Sequence, residues 1–112
     1  MVRQPRAREV DYSRMKYILY GASPIPLDLL RECMEVFGCG FCQQYGMTET
    51  CGIITSISGD FFVDKPASCG RAMPSFEAKV VDDAGNALPP GQTGELWVRG
   101  ASVIKGYINR PE

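Results

Sequence analysis

The stretch Gln43-Gln44-Tyr45-Gly46-Met47-Thr48-Glu49-Thr50 gathers side chains that suit a phosphorylated ligand. Tyr45 offers a flat face on which a base can stack, and Gly46 lets the backbone come close to a ligand. Thr48 brings a hydroxyl that can bond a phosphate oxygen, and Glu49 is a hard oxygen ligand suited to Mg²⁺. A strand is expected just before this string, and open α/β sheets place their ligands in the turn beyond such a strand. On composition alone the same residues also read as an ordinary strand-to-loop turn with polar side chains in water.

A second pattern is Cys39-Gly-Phe-Cys42. The C-x-x-C spacing can bind a metal or run redox chemistry. The chain has no histidine and no second pair of this kind, and the motif falls inside an expected strand where a redox version would open a helix. Cys39 and Cys42 therefore read as buried small hydrophobes. Together with Cys33, Cys51 and Cys69 they are odd in number and irregularly spaced, which suits free thiols in a reducing, cytoplasmic setting better than a disulfide framework.

These residues need elements to position them. Residues 1–14 are polar and without apolar period, and read as a lead-in loop whose basic residues (Arg3, Arg6, Arg8, Arg14) are solvated. Lys16 to Tyr20 is a β-branched and aromatic run that predicts a buried strand, stopped by the turn Gly21-Ala22-Ser23-Pro24. Pro26 fits the first turn of a helix. Leu27, Leu29, Leu30, Met34 and Phe37 then recur at helical spacing up to a C-cap at Gly38. Cys39 to Tyr45 predicts a second strand, which completes a strand–helix–strand unit of the kind that builds parallel sheets.

After Thr50 the pattern changes. Ile53, Ile54 and Ile57 suggest a short extended segment, followed by a polar loop. Phe76 to Val81 predicts a strand closed by the turn cluster Asp83-Ala84-Gly85-Asn86, and Gly94 to Val98 predicts another beyond Pro89-Pro90-Gly91. Gly94, Gly100 and Gly106 are spaced as strand ends and bends of a small barrel-like sheet, with Trp97 and Tyr107 as core aromatics. The expected fold class is α/β: a strand–helix–strand piece of a parallel sheet (15–58) followed by a mostly antiparallel β segment (59–112), with the change of architecture between Ser58 and Gly70. A parallel sheet normally wants helices on both faces, and the sequence offers one clear helix. The apolar segment Val103 to Ile108 is followed by no closing element. The chain is thus expected to be an incomplete piece of a larger fold, with exposed edges that drive self-association when isolated.

Composition bounds the function classes. With 112 residues, 45% hydrophobic and 22% charged, the chain can build one modest core. A net charge of -1 supplies no field for nucleic acid or an anionic membrane. No apolar stretch approaches the roughly 20 residues that cross a bilayer.

The string around Tyr45 resembles the core motif of the adenylate-forming superfamily, which holds acyl-CoA synthetases, aryl-CoA ligases, luciferases and peptide-synthetase adenylation domains. Three further matches lie in the family's order. Gly21-Ala22-Ser23-Pro24 looks like its small-residue turn. Gly70-Arg71 with Pro74 resembles its Gly-Arg-x-x-Pro linker. Gly94-Glu95-Leu96-Trp97-Val98-Arg99-Gly100 with Gly106-Tyr107-x-Asn109-Arg110-Pro111-Glu112 is similar to its next motif. The resemblance runs from Lys16 to the C-terminus.

It implies that Tyr45 stacks on adenine, with Gly21, Ala22, Ser23 and Pro24 packing on the other side of the ring. It implies that Thr48 holds the AMP phosphate and that Glu49 ligates the Mg²⁺ bound to ATP, with Gln44, Gly46 and Met47 alongside. Met47 leans toward acyl- and aryl-CoA synthetases over peptide-synthetase domains that load a carrier protein. Gln44 stands where many aryl-CoA ligases have glycine, and either shortens the acid pocket or turns toward the nucleotide. The implied reaction activates a fatty or aryl acid with ATP to an acyl-adenylate, which coenzyme A then captures. The family's phosphate loop, ribose-binding aspartate and adenylation lysine are not found in this sequence, so the chain alone is expected to be inactive. A non-catalytic nucleotide-binding module is the competing reading.

Overall fold

A computed structural model describes residues 2–59 and 64–110. The centre of the polar loop (60–63) and the last two motif residues, Pro111 and Glu112, lie outside the described residues. Strand β1 (Tyr17–Gly21) leads through the Gly21–Pro24 turn into helix α1 (Leu27–Phe37), which returns to strand β2 (Gly40–Met47). β1 and β2 are parallel, from Tyr17 opposite Gly40 to Gly21 opposite Gln44. The punctuation is as expected at the helix end: Gly38 sits in the left-handed region at φ 56° and its N–H donates to the Met34 carbonyl at 3.1 Å. Pro26 stands just before the first turn as the N-cap, and its carbonyl accepts from the Leu30 N–H.

The apolar stripe of α1 buries Leu30 and Phe37 against Phe41 and Ile57, with Ile18 and Tyr20 packed beside them. The other face of β1 is open: Tyr17 and Leu19 are 62% and 64% exposed. The expected buried strand is therefore half-buried on one face and open on the other, because α1 lies on the Ile18 and Tyr20 side and period-2 alternation sends Tyr17 and Leu19 to the opposite side.

The lead-in also departs from expectation. Val2 and Ala7 are buried, Ala7–Glu9 forms a one-turn 3₁₀ helix, and Tyr12 meets Phe37 edge to face at 4.8 Å. Its arginines are not simply solvated: Arg3 pairs with Glu32, and Arg8 with Glu32 and Glu35 on α1. A single buried valine and alanine leave no periodic signal, so sequence alone hides this docking.

Beyond β2 the chain turns back as β3 (Gly52–Ser58), antiparallel to β2 with a register shift between Tyr45 and Gly46. The short strand β4 (Arg71–Ala72) adds antiparallel to β3, so the first sheet runs β1-β2-β3-β4. Segments 15–58 and 59–112 thus share one sheet, and the passage to the second falls between Ala72 and Phe76. That sheet pairs β5 (Phe76–Val81) antiparallel with β6 (Glu95–Gly100). Their connection is anchored by Asp82, whose carboxylate accepts from the backbone N–H groups of Ala84 and Asn86.

Trp97 and Tyr107 are not core residues. They are 45% and 52% exposed. The Trp97 indole donates to Glu95 and lies 5.0 Å beneath the Lys79 ammonium, an arrangement open to water on a two-stranded sheet. Among the described residues no helix is long and apolar enough to cross a membrane.

Candidate functional site

The parallel register puts Gly21 directly beside Gln44, so the turn after β1 and the turn after β2 emerge at one end of the sheet. Between them lies an open cleft of about 360 Å³, lined by Gly21, Ala22, Gln44, Tyr45, Gly46, Met47 and Thr48, with Gly52 and Ile53 from β3. Seven of the ten residues singled out from sequence therefore face one space. Ser23, Pro24 and Glu49 do not line it. A larger hollow of about 420 Å³ lies on the second sheet around Lys79, Trp97 and Arg99. Volume does not decide between them. The convergence of the small-residue turn with the Tyr45–Thr48 string does.

Local chemistry explains how the cleft is shaped. Gly21 is small because a β-carbon there would run into the carbonyl oxygen of Gln44. Gly46 has the same reason on the other side: its β-carbon would collide with the Gly52 carbonyl oxygen and stand 2.7 Å from the carbonyl carbon. Its closest approach is thus to the neighbouring strand, beside the cleft that it also lines. Ala22 is held at φ 64°, a left-handed conformation that costs a side-chain-bearing residue roughly 1–2 kcal/mol, and such outliers gather at functional turns.

The string after β2 becomes a one-turn 3₁₀ helix, Thr48–Thr50, closed by Cys51 at φ 52°. Thr50 organises it and was not singled out from sequence. It is 2% exposed, and its hydroxyl lies 2.9 Å from the carbonyl oxygens of both Met47 and Gly52 while accepting from the Met47 N–H at 3.3 Å. The available signal was a threonine in a tight turn after a strand, a residue that bonds its own backbone.

Thr50 thereby presents Thr48 and Glu49 to solvent. Glu49 is gripped from far along the chain: its carbonyl accepts from the Ile104 N–H at 2.8 Å, and its carboxylate accepts from the Tyr107 hydroxyl at 2.9 Å. The bond to the Glu49 carboxylate raises the Tyr107 pKa above its ordinary value, with slight desolvation and the carboxylate's charge adding to it. No sequence spacing predicts a contact across 58 residues.

The donor set suits a magnesium–phosphate ligand. Among the described residues no group of three or more His, Cys, Asp or Glu side chains comes together to cage a metal. A lone exposed carboxylate beside a hydroxyl is what Mg²⁺ uses when phosphates and water complete its shell. Cys39 and Cys42 stand apart from this chemistry and are half-buried rather than buried, while Cys51 takes part only through its backbone at the end of the motif turn. Cys39 packs against the core and Cys42 lies 3.1 Å from the Ser56 hydroxyl, while burial pushes the Cys33 thiol up.

The AMP-binding enzyme family model matches residues 1–108. The 2-succinylbenzoate–CoA ligase of Bacillus subtilis is 43% identical over 96 residues, which cover 86% of this chain and 19% of that protein. The 4-coumarate–CoA ligase-like 6 protein of Oryza sativa is 36% identical over 114 residues, covering 100% of this chain and 19% of that protein. Among solved structures, O-succinylbenzoate coenzyme A synthetase from Bacillus subtilis in complex with ATP and magnesium superposes with a TM-score of 0.74 at 43% identity, over 85% of this chain and 20% of that one. Apo MatB from Rhodopseudomonas palustris gives 0.84 at 35% identity, over 99% of this chain and 22% of that one. The chain spans about a fifth of the length of the relatives it matches. From the motif order, the cleft geometry and these matches, the chain belongs to the AMP-binding enzyme family, the adenylate-forming enzymes.

Proposed function

We propose that this chain supplies the base- and phosphate-facing part of an AMP-forming ligase that joins a carboxylic acid to coenzyme A. The observation that carries the reading is the single cleft formed by Gly21–Ala22 and Gln44–Thr48, with Glu49 next in the chain after the lining residue Thr48. The two curated relatives named above are a CoA ligase and a CoA ligase-like protein by name, and one solved relative is a coenzyme A synthetase described with ATP and magnesium. An aryl acid is the first candidate, because the two curated relatives are named for 4-coumarate and 2-succinylbenzoate. A fatty acid is the alternative, since a solved relative at 30% identity is named a long-chain-fatty-acid–CoA ligase. Segments 15–58 and 59–112 act in this reading as two parts of one adenylation domain.

The chemistry must bring two anions together. The acid's carboxylate oxygen attacks the α-phosphorus of ATP, an acyl–phosphate bond forms, and pyrophosphate leaves. The thiolate of coenzyme A then attacks the acyl carbon and AMP departs. Mg²⁺ supplies positive charge to the phosphate oxygens. Tyr45 holds the base against the small-residue wall of Gly21 and Ala22, with Ser23 and Pro24 completing the turn. Thr48 donates to a phosphate oxygen and Glu49 contributes the protein's carboxylate to the cation. Gln44 and Met47 border the acid, and Gly46 keeps β2 and β3 close enough to hold the cleft's floor. Rigid placement of the reacting groups is worth several kcal/mol of barrier.

The test is acid-dependent exchange of labelled pyrophosphate into ATP by the complete gene product, with a panel of aryl and fatty acids, followed by thioester formation with coenzyme A. The reading expects exchange with at least one acid and its loss by about a hundredfold in Thr48→Ala and Glu49→Gln, the scale of removing one transition-state contact. Exchange undiminished in both variants would overturn it. Exchange without transfer to coenzyme A would move the acceptor to a carrier-protein thiol.

A further inference from the structure

The segment that follows β6 is fastened to the motif turn by two hydrogen bonds of different kinds. The Ile104 N–H donates to the Glu49 carbonyl and so fixes the backbone from which the side chain springs. The Tyr107 hydroxyl donates to Glu49 Oε1 and so fixes the carboxylate itself. Tyr107 is in turn held by a tight turn. The Arg110 N–H donates to its carbonyl at 3.1 Å, and Asn109 at φ 59° closes the bend.

The nature of the donor matters. Among the described residues Glu49 makes no ion pair. A lysine or arginine in Tyr107's place would hold the carboxylate but cancel the charge that a cation needs. A neutral phenol orients the group and leaves its charge intact, with Oε2 and a lone pair of Oε1 still available. Ligating carboxylates are commonly hydrogen-bonded in this way by an outer partner that sets their direction.

We infer that Tyr107 is a positioning residue, whose hydroxyl aims the Glu49 carboxylate at the divalent cation carried by a nucleoside triphosphate. The inference rests on the role proposed above for Glu49. It adds a residue from the far end of the chain, 58 positions away, to a site otherwise built from residues 21–53.

The test is calorimetric binding of ATP to the complete gene product, with and without saturating Mg²⁺, for the parent, Tyr107→Phe, Glu49→Gln and the double variant. Loss of an outer partner lowers metal-linked affinity by roughly 10-fold or more, so Tyr107→Phe is expected to weaken binding about 10-fold with Mg²⁺ and to leave metal-free ATP binding unchanged. In the Glu49→Gln background the tyrosine substitution is expected to add nothing. Unchanged Mg²⁺-linked affinity in Tyr107→Phe, an equal loss without Mg²⁺, or a full additional loss in the double variant would each overturn the positioning role. If Glu49→Gln itself leaves the Mg²⁺-linked affinity intact, the role of Glu49 fails and the proposed function fails with it.

Discussion

Alanine at Gly46 tests how the cleft is built. Gly46 pairs with Ile53 at the register shift after Tyr45. A β-carbon placed there meets the Gly52 carbonyl oxygen, lies 2.7 Å from the Gly52 carbonyl carbon and 3.0 Å from the Ile53 Cα. All three are backbone atoms, so no side chain can swing aside. Carbon atoms pack best about 3.5–4.0 Å apart, so β3 must retreat from β2 by roughly an ångström at this point. Overpacking of that kind costs about 1–3 kcal/mol, and a loosened ladder hydrogen bond adds about 1 kcal/mol. The expected loss is therefore about 2–4 kcal/mol, or a fall in Tm on the order of 10–20 °C for a domain of this size. The assay is thermal and urea unfolding of the chain followed by circular dichroism. Gly38→Ala is the comparison, because an added β-carbon there meets nothing within 4 Å and only the left-handed φ of 56° resists it, at about 1–2 kcal/mol. If Gly46→Ala unfolds within about 0.5 kcal/mol of the parent, the scale of an ordinary surface substitution, or loses less than Gly38→Ala, the steric account is wrong.

Thr50→Val keeps the shape but removes the hydroxyl that ties Met47 to Gly52, and should cost about 1–3 kcal/mol in urea unfolding; a neutral result would mean water replaces the hydroxyl without loss. The Asp82 carboxyl lies below its ordinary value of 3.8, chiefly through the Asn86 side chain and then the Asn86 backbone. A depressed folded pKa gives a stabilisation that is complete above the unfolded value and is lost as pH falls through the folded one. An NMR titration of Asp82 should therefore have its midpoint below 3.8, and Asn86→Ala should move it upward; no movement would remove the assigned cause. The open face of β1 predicts self-association of the isolated chain, read by light scattering and relieved by Leu19→Lys; a monodisperse parent at high concentration would count against it.

The strand–helix–strand unit was legible because its punctuation is local. Pro26 and Gly38 bracket an apolar stripe at helical spacing, the run before it is β-branched and aromatic, and the run after it carries Phe41 and Tyr45. The cleft followed from the same unit, since parallel strands must bring their C-terminal turns to one side. What stayed hidden depends on distant partners. Tyr17 and Leu19 look as apolar as Ile18 and Tyr20, and only the position of α1 decides which pair is covered. Trp97 and Tyr107 suggested a core because large aromatics usually find one, yet each is satisfied at the surface by a carboxylate, Glu95 and Glu49 respectively. Strand β4 has two residues, too few for any period to register.

The bond between Tyr107 and Glu49 also bears on the order of assembly, because its partners lie far apart in the chain. The strands of the first sheet lie between residues 17 and 72 and those of the second between 76 and 100, so neither sheet waits for a strand from the other. The β2–β3 hairpin closes locally between Met47 and Gly52. The grip on Glu49 must close a loop of more than fifty residues (Glu49 to Ile104), and the entropy of closure rises with loop length. The carboxylate is therefore expected to be aimed late in folding, after both sheets exist. Pulse-labelled hydrogen exchange should show the Ile104 amide gaining protection after the amides of β2 and β3, and simultaneous protection would place the closure inside the main folding step.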